Sequence, residues 1–308
     1  MTTKNKRRYR IRNWRDYNKA LVARGSLTLW IDERAVGKWR DTASPARRGR
    51  RRTYSDLAVT CALTLREVYG LPLRSTQGLV SSMLRLLGTD LPAPHYSTLS
   101  RRAGRLEVAL PRRSAGPLHL AVDSTGVKVY GEGEWKVRVH GADKRRTWRK
   151  LHLAIDHRTH EVVSLAMTGK DVLDRRALPG LLSEAEGEVA EVLGDGAYDF
   201  HDCYKAIHAR GARSVIPPKK RARVRGGPEF TDRDAAVLRG REVGRDGWKK
   251  EAGYHRRSLA ETAMMRLKTI FSDRLKAREW KRQVTELLVR CAALNRMTGL
   301  GMPHSYAV

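Results

Sequence analysis

The 308-residue sequence predicts an α/β protein, a mixed sheet flanked by helices, with a purely helical region ahead of it. Three observations lead there. From Tyr54 to about Leu106, apolar residues recur at three and four positions. From Leu118 the pattern changes to short apolar runs of strand type, interleaved with helical stretches. Two strong helical patterns then close the chain, Ser258 to about Arg274 and about Lys281 to Met297.

The elements follow in order. Residues 1–53 carry 17 Lys/Arg against 4 Asp/Glu and end in the run Arg47-Arg48-Gly49-Arg50-Arg51-Arg52, which reads as a basic, solvated arm. Residues 54–110 read as three short helices. The first carries Leu57, Cys61, Thr64, Leu65 and Val68 and stops at Gly70-Leu71-Pro72. The second has Ser75 as its expected N-cap and an apolar face of Leu79, Met83, Leu86 and Leu87, closed by Gly88. The third, Ser97 to Leu106, carries Arg101, Arg102 and Arg105. A basic helix after a turn is the helix-turn-helix layout, in which the last helix enters a major groove. The competing reading is a small bundle with a solvated face.

Pro111 to Pro117 reads as a linker, and residues 117–308 as one α/β domain. Leu118 to Asp123 is expected to be a short buried strand, with Ser124-Thr125-Gly126 as a turn. Leu151–Ile155 and Val162–Met167 should form a hairpin around Asp156–His160. A helix (Asp174–Glu186), a strand (Val189–Leu193), a helix (Cys203–Arg210) and a strand (Ser214–Pro217) follow. Residues 219–253 are basic, Gly-rich and poorly patterned, and read as a small irregular insertion.

Lys plus Arg number 62 and Asp plus Glu 33, a formal charge of +29. Such an excess calls for a polyanionic partner, nucleic acid first and an anionic membrane surface a distant second. A hydrophobic content of 41% argues against disorder throughout. No run of eighteen apolar residues implies a membrane span, and the basic start has no apolar stretch of signal-peptide type. Cys61, Cys203 and Cys291 are too scattered for a disulfide ladder or a CxxC site, so they are expected to be buried, reduced thiols of a cytoplasmic protein.

In this cationic chain the scarce acids become the candidates for chemistry. Asp123 and Asp195 each end an apolar run and have Gly close by, where a side chain leaves the core. If their strands are neighbours, the two carboxylates converge, and paired carboxylates suit Mg²⁺ or Mn²⁺. Each aspartate alone is as well explained as a turn residue. A third acid lies late in the chain. Tyr254, Arg257, Glu261 and Lys268 fall in one narrow arc at about 100° per residue of helix. Leu259, Ala263, Met264, Leu267, Ile270 and Phe271 form an adjoining apolar arc. A surface salt-bridge ladder explains Arg257–Glu261 equally well. Three acids on two strands and a helix would otherwise make a two-metal phosphodiester site. Arg257 and Lys268 would then contact phosphate, one as a fork and one as a point charge, and Tyr254 would position a phosphate or stack.

These residues resemble a family. Tyr254-x2-Arg257-x3-Glu261-x6-Lys268 is similar to the Y-(2)-R-(3)-E-(6)-K helix signature of bacterial insertion-sequence DDE transposases. Leu120-Ala121-Val122-Asp123-Ser124-Thr125-Gly126 looks like their first catalytic strand, and Leu193-Gly194-Asp195-Gly196-Ala197-Tyr198-Asp199 like their second. Tyr54 to Arg102 and Arg145 to Leu153 also look like the corresponding regions, so most of the chain is covered. The resemblance implies an RNase H-like catalytic domain and Asp123, Asp195 and Glu261 as a metal-binding triad with two Mg²⁺ or Mn²⁺ ions. It further implies cleavage and joining of transposon DNA ends by a nucleoid-associated dimer or larger multimer on double-stranded DNA. With only 66 positions between Asp195 and Glu261, any insertion there is small.

Other candidates are weaker. Asp199 is expected as an N-cap and Asp156 as a turn residue. His157 and His160 lack partners for a zinc site in the sequence pattern. Ser124 and Thr125 have no recognisable base, no GxxxxGK[ST] loop is present, and Trp135, Trp148 and Trp280 read as core or rim. A non-catalytic DNA-binding regulator would share the charge but leave the acids idle.

Overall fold

In the computed structural model, which describes residues 9–42, 52–112, 115–129 and 148–308, the chain divides into two units. Met1–Leu99 with Ala293–Val308 form the first, and Ser100–Ala292 the second. Trp135, most of the arginine run 47–52 and the approach residues 145–147 lie outside the described residues.

The first unit corrects the idea of an arm. Strand β1 (Tyr9–Ile11) pairs antiparallel with β8 (Ser305–Ala307), so an early and a late segment of the chain meet. Asn13 adds two bonds, donating to the Met302 carbonyl at 2.9 Å and accepting from the His304 amide at 2.7 Å. Helices α1 (Trp14–Ala23) and α2 (Glu33–Gly37) follow, α2 capped by Asp32. Trp30 and Trp39 are fully buried, and the Trp39 indole donates to the Pro92 carbonyl at 2.9 Å. Indole burial with a satisfied N–H is what the basic composition of this segment conceals, because a few aromatic anchors suffice.

Helix α3 (Asp56–Val68) starts at its N-cap Ser55 and stops at Gly70, whose φ of 68° only glycine adopts freely. Helix α4 (Leu73–Leu86) begins before the expected Ser75 cap, with Pro72 in the cap position. Its buried face is Thr76, Val80, Met83 and Leu84, whereas Leu86 and Leu87 are exposed. Helix α5 (Tyr96–Ala103) is shorter than expected, so Arg105 sits in the turn after it.

The second unit holds the sheet. In chain order its strands are β2 (Leu118–Val129), β3 (Trp148–Asp156), β4 (Glu161–Gly169), β5 (Val189–Leu193) and β6 (Arg213–Val215). They stand in the order β4-β3-β2-β5-β6, with β2–β3 and β3–β4 antiparallel and β2–β5 and β5–β6 parallel. This is the mixed sheet that the strand and helix order predicts. The correction lies in β2. It does not end at Asp123 but runs six residues further, and Ser124-Thr125-Gly126 is strand paired with Lys150 to His152. Gly126 sits under Trp148, where a Cβ would lie 3.1 Å from the indole ring.

Helices α6 (Asp174–Glu184) and α7 (His201–Ala209) cover one face of the sheet. Leu118, Leu120 and Val122 point there, packing with Leu178, Leu181, Leu182, Cys203 and Ile207. Each fully buried leucine contributes roughly 1.5–3 kcal/mol. All three cysteines are buried and free, and burial pushes their thiols up, to about 11 for Cys61 and about 12 for the others. The stretch 219–253 is less irregular than expected, since it contains α8 (Thr231–Glu242) and α9 (Gly244–Glu251). Helix α10 (Ser258–Phe271) packs on the second face, burying Ala260, Ala263, Met264, Leu267 and Phe271. The two-residue β7 (Arg274–Leu275) joins β2, and α11 (Trp280–Thr298) follows. No helix among the described residues is long and apolar enough to cross a membrane.

Candidate active site

Strand alternation sends Asp123 away from the leucine core, to the face that carries α10. The parallel register pairs Ala121 with Leu193. Two residues beyond each of these stand Asp123 and Asp195, so the two carboxylates are neighbours at the same level of the sheet. Asp195 lies just past β5, where its side chain accepts from the Ala197 amide at 2.8 Å and caps the turn Gly196–Tyr198.

Tyr254 and Arg257 are not on α10, as the wheel projection expects. They occupy a 3₁₀ turn, Tyr254–Arg257, that leads into it, and Gly253 starts this turn at φ 64°. Only Glu261 and Lys268 belong to the α-helix. The grouping is nevertheless close. Arg257 donates one nitrogen to Asp123 at 2.6 Å and another to Glu261. Lys268 donates to Thr125, two residues along β2 from Asp123, at 2.5 Å. The Arg257 guanidinium also lies 5.9 Å from the centre of the Tyr254 ring, and Trp248 packs against that ring. Arg101 and Arg102 sit on α5 with Arg105 after it, on an element separate from those bearing the acids.

The electrostatics agree with a carboxylate cluster. Burial raises the Asp123 carboxyl above its usual range. The Ser124 amide and Arg257 oppose that rise, while Asp195 and Glu261 add to it. Burial also raises the Tyr254 phenol, with Arg257 opposing and Asp195 reinforcing. Two carboxylates joined by one guanidinium, with Asp195 beside Asp123, supply oxygen only, a donor set that fits a hard divalent cation.

The family of the chain can now be decided. A family model described as "Transposase DDE domain" matches residues 114–296, well over half of the 308. The chain belongs to the transposase DDE domain family. A second model with the same description matches residues 22–132. No solved structure matches. DDE transposases use divalent metal ions in general, and the mixed sheet with helices on both faces is consistent with their RNase H-like domain.

Several polar groups around this candidate site are invisible to pattern reading. Asp174, the first residue of α6, accepts from Ser124 at 2.9 Å and pairs with Lys150 at 3.0 Å. Tyr198 is 1% exposed, and its hydroxyl has no hydrogen-bond partner among the described residues. Burial raises the phenol strongly, and the charges of Asp174, Asp123 and Asp195 add to this. Gly194 exists to seat that ring, because a Cβ there would lie 3.0 Å from Tyr198. His119, His157 and Glu191 bring their ligand atoms within 4.8 Å of one another. His119 precedes Asp123 by four residues on the same face, about 13 Å along the strand. An imidazole-rich set suits zinc better than magnesium. Glu191, however, already meets Arg256 at 3.1 Å and Arg213 at 3.4 Å. Burial works to raise its carboxyl, but the His157 bond and these guanidinium groups hold it low. The cluster thus ties the Tyr254–Arg257 turn to β5. A signal did exist in the alternation of Val189–Leu193, whose one acid is out of place in an apolar strand.

Asp199 corrects another expectation. It caps no helix. It is 2% exposed and accepts from Arg233 at 2.8 Å, Tyr204 at 3.1 Å and the Lys219 amide at 2.8 Å. Burial works to raise its carboxyl, but Arg233 and the Lys219 amide outweigh it and hold it low.

Proposed function

We propose that this DDE transposase binds the terminal repeats of a mobile element and cuts and rejoins their strands, with Asp123, Asp195 and Glu261 as the acids of the reaction. One observation carries the proposal: the parallel register aligns Asp123 with Asp195 while Arg257 links Asp123 to Glu261. The three acids would hold Mg²⁺ or Mn²⁺, two ions per site, which when bound polarise the scissile phosphate and activate water or a 3′-hydroxyl. Asp123 and Asp195 would hold those ions from the rigid sheet. Glu261 closes the site from α10. Arg257 would exchange part of its hold on the carboxylates for a phosphate oxygen, using its fork. Lys268 adds a point charge beside Thr125, and Tyr254 shields one side of the site with an aromatic ring.

Helices α3 to α5, with Arg101, Arg102 and Arg105, would supply groove contacts, and residues 1–53 would add phosphate neutralisation. Pairing of two DNA ends calls for a dimer or larger multimer, working on the bacterial nucleoid. In domain terms, residues 54–110 would bind DNA and 117–308 would catalyse.

The test is Asp123→Asn, with an end-containing duplex as substrate. Mg²⁺-dependent nicking and strand transfer should vanish while duplex binding persists. A variant that still cuts removes Asp123 from the site, and a wild-type chain that binds but never cuts favours a regulator.

A further inference from the structure

The loop between β6 and α8 is built from the inside by buried charge. Arg233 (3% exposed) donates to Asp199 at 2.8 Å and to Asp234 at 3.2 Å, forming a buried trio. The trio then holds the loop backbone. Asp199 accepts the Lys219 amide, Arg233 donates to the Arg223 carbonyl at 2.9 Å, and Asp234 accepts the amides of Arg225 and Gly226. Burying three charges is costly, and an apolar core of equal volume is often at least as stable. What the trio provides here is a fixed backbone shape for a loop with little apolar content.

The outward side of that loop is cationic. Lys219, Arg221, Arg223 and Arg225 are exposed, and none pairs with a carboxylate among the described residues. They surround a concavity of about 370 Å³ whose floor is Asp199 and Arg233. The buried trio keeps a net charge of −1, one guanidinium against two carboxylates, and the four cations around the concavity outweigh it. The loop leaves the sheet beside the Asp195 turn, where the Pro217 carbonyl lies 3.6 Å from a Cβ built on Gly196. Lys219 also lies 3.8 Å from the Phe200 ring centre, with Arg175 at the same distance.

We infer that residues Lys219–Arg225 form a preorganised phosphate-binding loop that grips the backbone of the DNA strand next to the Asp123–Asp195 site. A fixed concavity lined by four cations that meet no carboxylate among the described residues spends less ordering entropy on a phosphodiester than unstructured chain would. The inference rests on the DNA-binding reading above but concerns a different set of residues from the acids.

The test compares Arg221→Ala/Arg223→Ala with a control of equal charge loss, Lys205→Ala/Arg241→Ala, whose residues are also exposed. Duplex affinity is measured across a salt series. Losing two phosphate contacts should flatten the slope of log K against log salt by about 1.8, at roughly 0.9 per phosphate, while the control keeps the wild-type slope. Melting temperatures should match wild type. An unchanged slope in the loop variant overturns the inference even if Asp123→Asn behaves as proposed. A wild-type chain with no salt-dependent duplex binding overturns both. Inorganic phosphate serves as the competing ligand. If it raises the melting temperature of wild type but not of the variant, and the duplex slope is unchanged, the loop takes free anions and not DNA.

Discussion

Arg257 bridges Asp123 and Glu261, at 2.6 Å from the Asp123 oxygen, and so places one guanidinium where two carboxylates of the candidate site converge. A cation from the protein thus offsets charge that a bound divalent ion would offset in its place. That competition gives the first prediction. Arg257→Met should lower stability in EDTA by on the order of 1–3 kcal/mol, the cost of leaving charged partners unpaired. Excess Mg²⁺ should restore more stability to the variant than it adds to wild type. Melting curves with EDTA and with Mg²⁺ decide it, and equal stability in EDTA would sink the idea.

The Asp199–Arg233 pair yields a second. Breaking a buried pair from one side leaves an uncompensated charge and costs about 3–5 kcal/mol. Asp199→Asn and Arg233→Met should each be severe, and the double variant should lose much less than their sum. Urea titrations of the four proteins measure the coupling. Additive losses would mean that the two side chains act independently.

Two tyrosines on neighbouring elements should respond differently to losing a hydroxyl. The Tyr198 hydroxyl is buried and unpartnered among the described residues, whereas that of Tyr204 donates to Asp199 at 3.1 Å. Tyr198→Phe should be neutral or stabilising by up to about 1 kcal/mol, and Tyr204→Phe should cost about 1 kcal/mol. Thermal denaturation in parallel is sufficient. A clear loss for Tyr198→Phe would reveal a partner for its hydroxyl.

His152 sets a pH dependence. It is fully buried, with one ring nitrogen 2.8 Å from the Thr168 hydroxyl, and burial lowers its pKa to about 4; Asp174 opposes this and Lys150 reinforces it. Between pH 4 and the ordinary histidine value near 6.5, the unfolded chain binds a proton that the folded chain refuses. Stability from this group is therefore complete above about pH 6.5 and falls as pH drops toward 4. His152→Gln should flatten that part of a melting-temperature profile taken from pH 7 to pH 4. A profile identical to wild type would show that other groups set the slope.

Local pattern was enough for much of this protein. Apolar runs marked β3, β4 and β5, and the 3.6-residue period marked α3, α6, α10 and α11, because burial of one face is written into spacing. The same logic singled out Asp123, Asp195 and Glu261 as acids at odds with a cationic chain. Pattern misjudged what long-range contacts decide. Ser124-Thr125-Gly126 reads as a turn by residue type, yet β3 and β7 extend β2 through it. The N-terminal segment reads as an arm by charge, yet Trp30 and Trp39 anchor a folded unit.

The sequence by itself determined the chemistry available: an excess of cations for a polyanion, a few acids at strand ends and one in a late helix, and thiols destined for burial. Tertiary structure alone decided which of these groups meet. Asp123 and Asp195 lie 72 positions apart, and only the parallel register of β2 and β5 makes them neighbours. Asp199, four residues from Asp195, is diverted to Arg233 and into the support of a loop. Residue types fix what a side chain can do. Strand pairing and helix docking fix what it does it with, because contacts between distant residues leave no periodic trace in the chain.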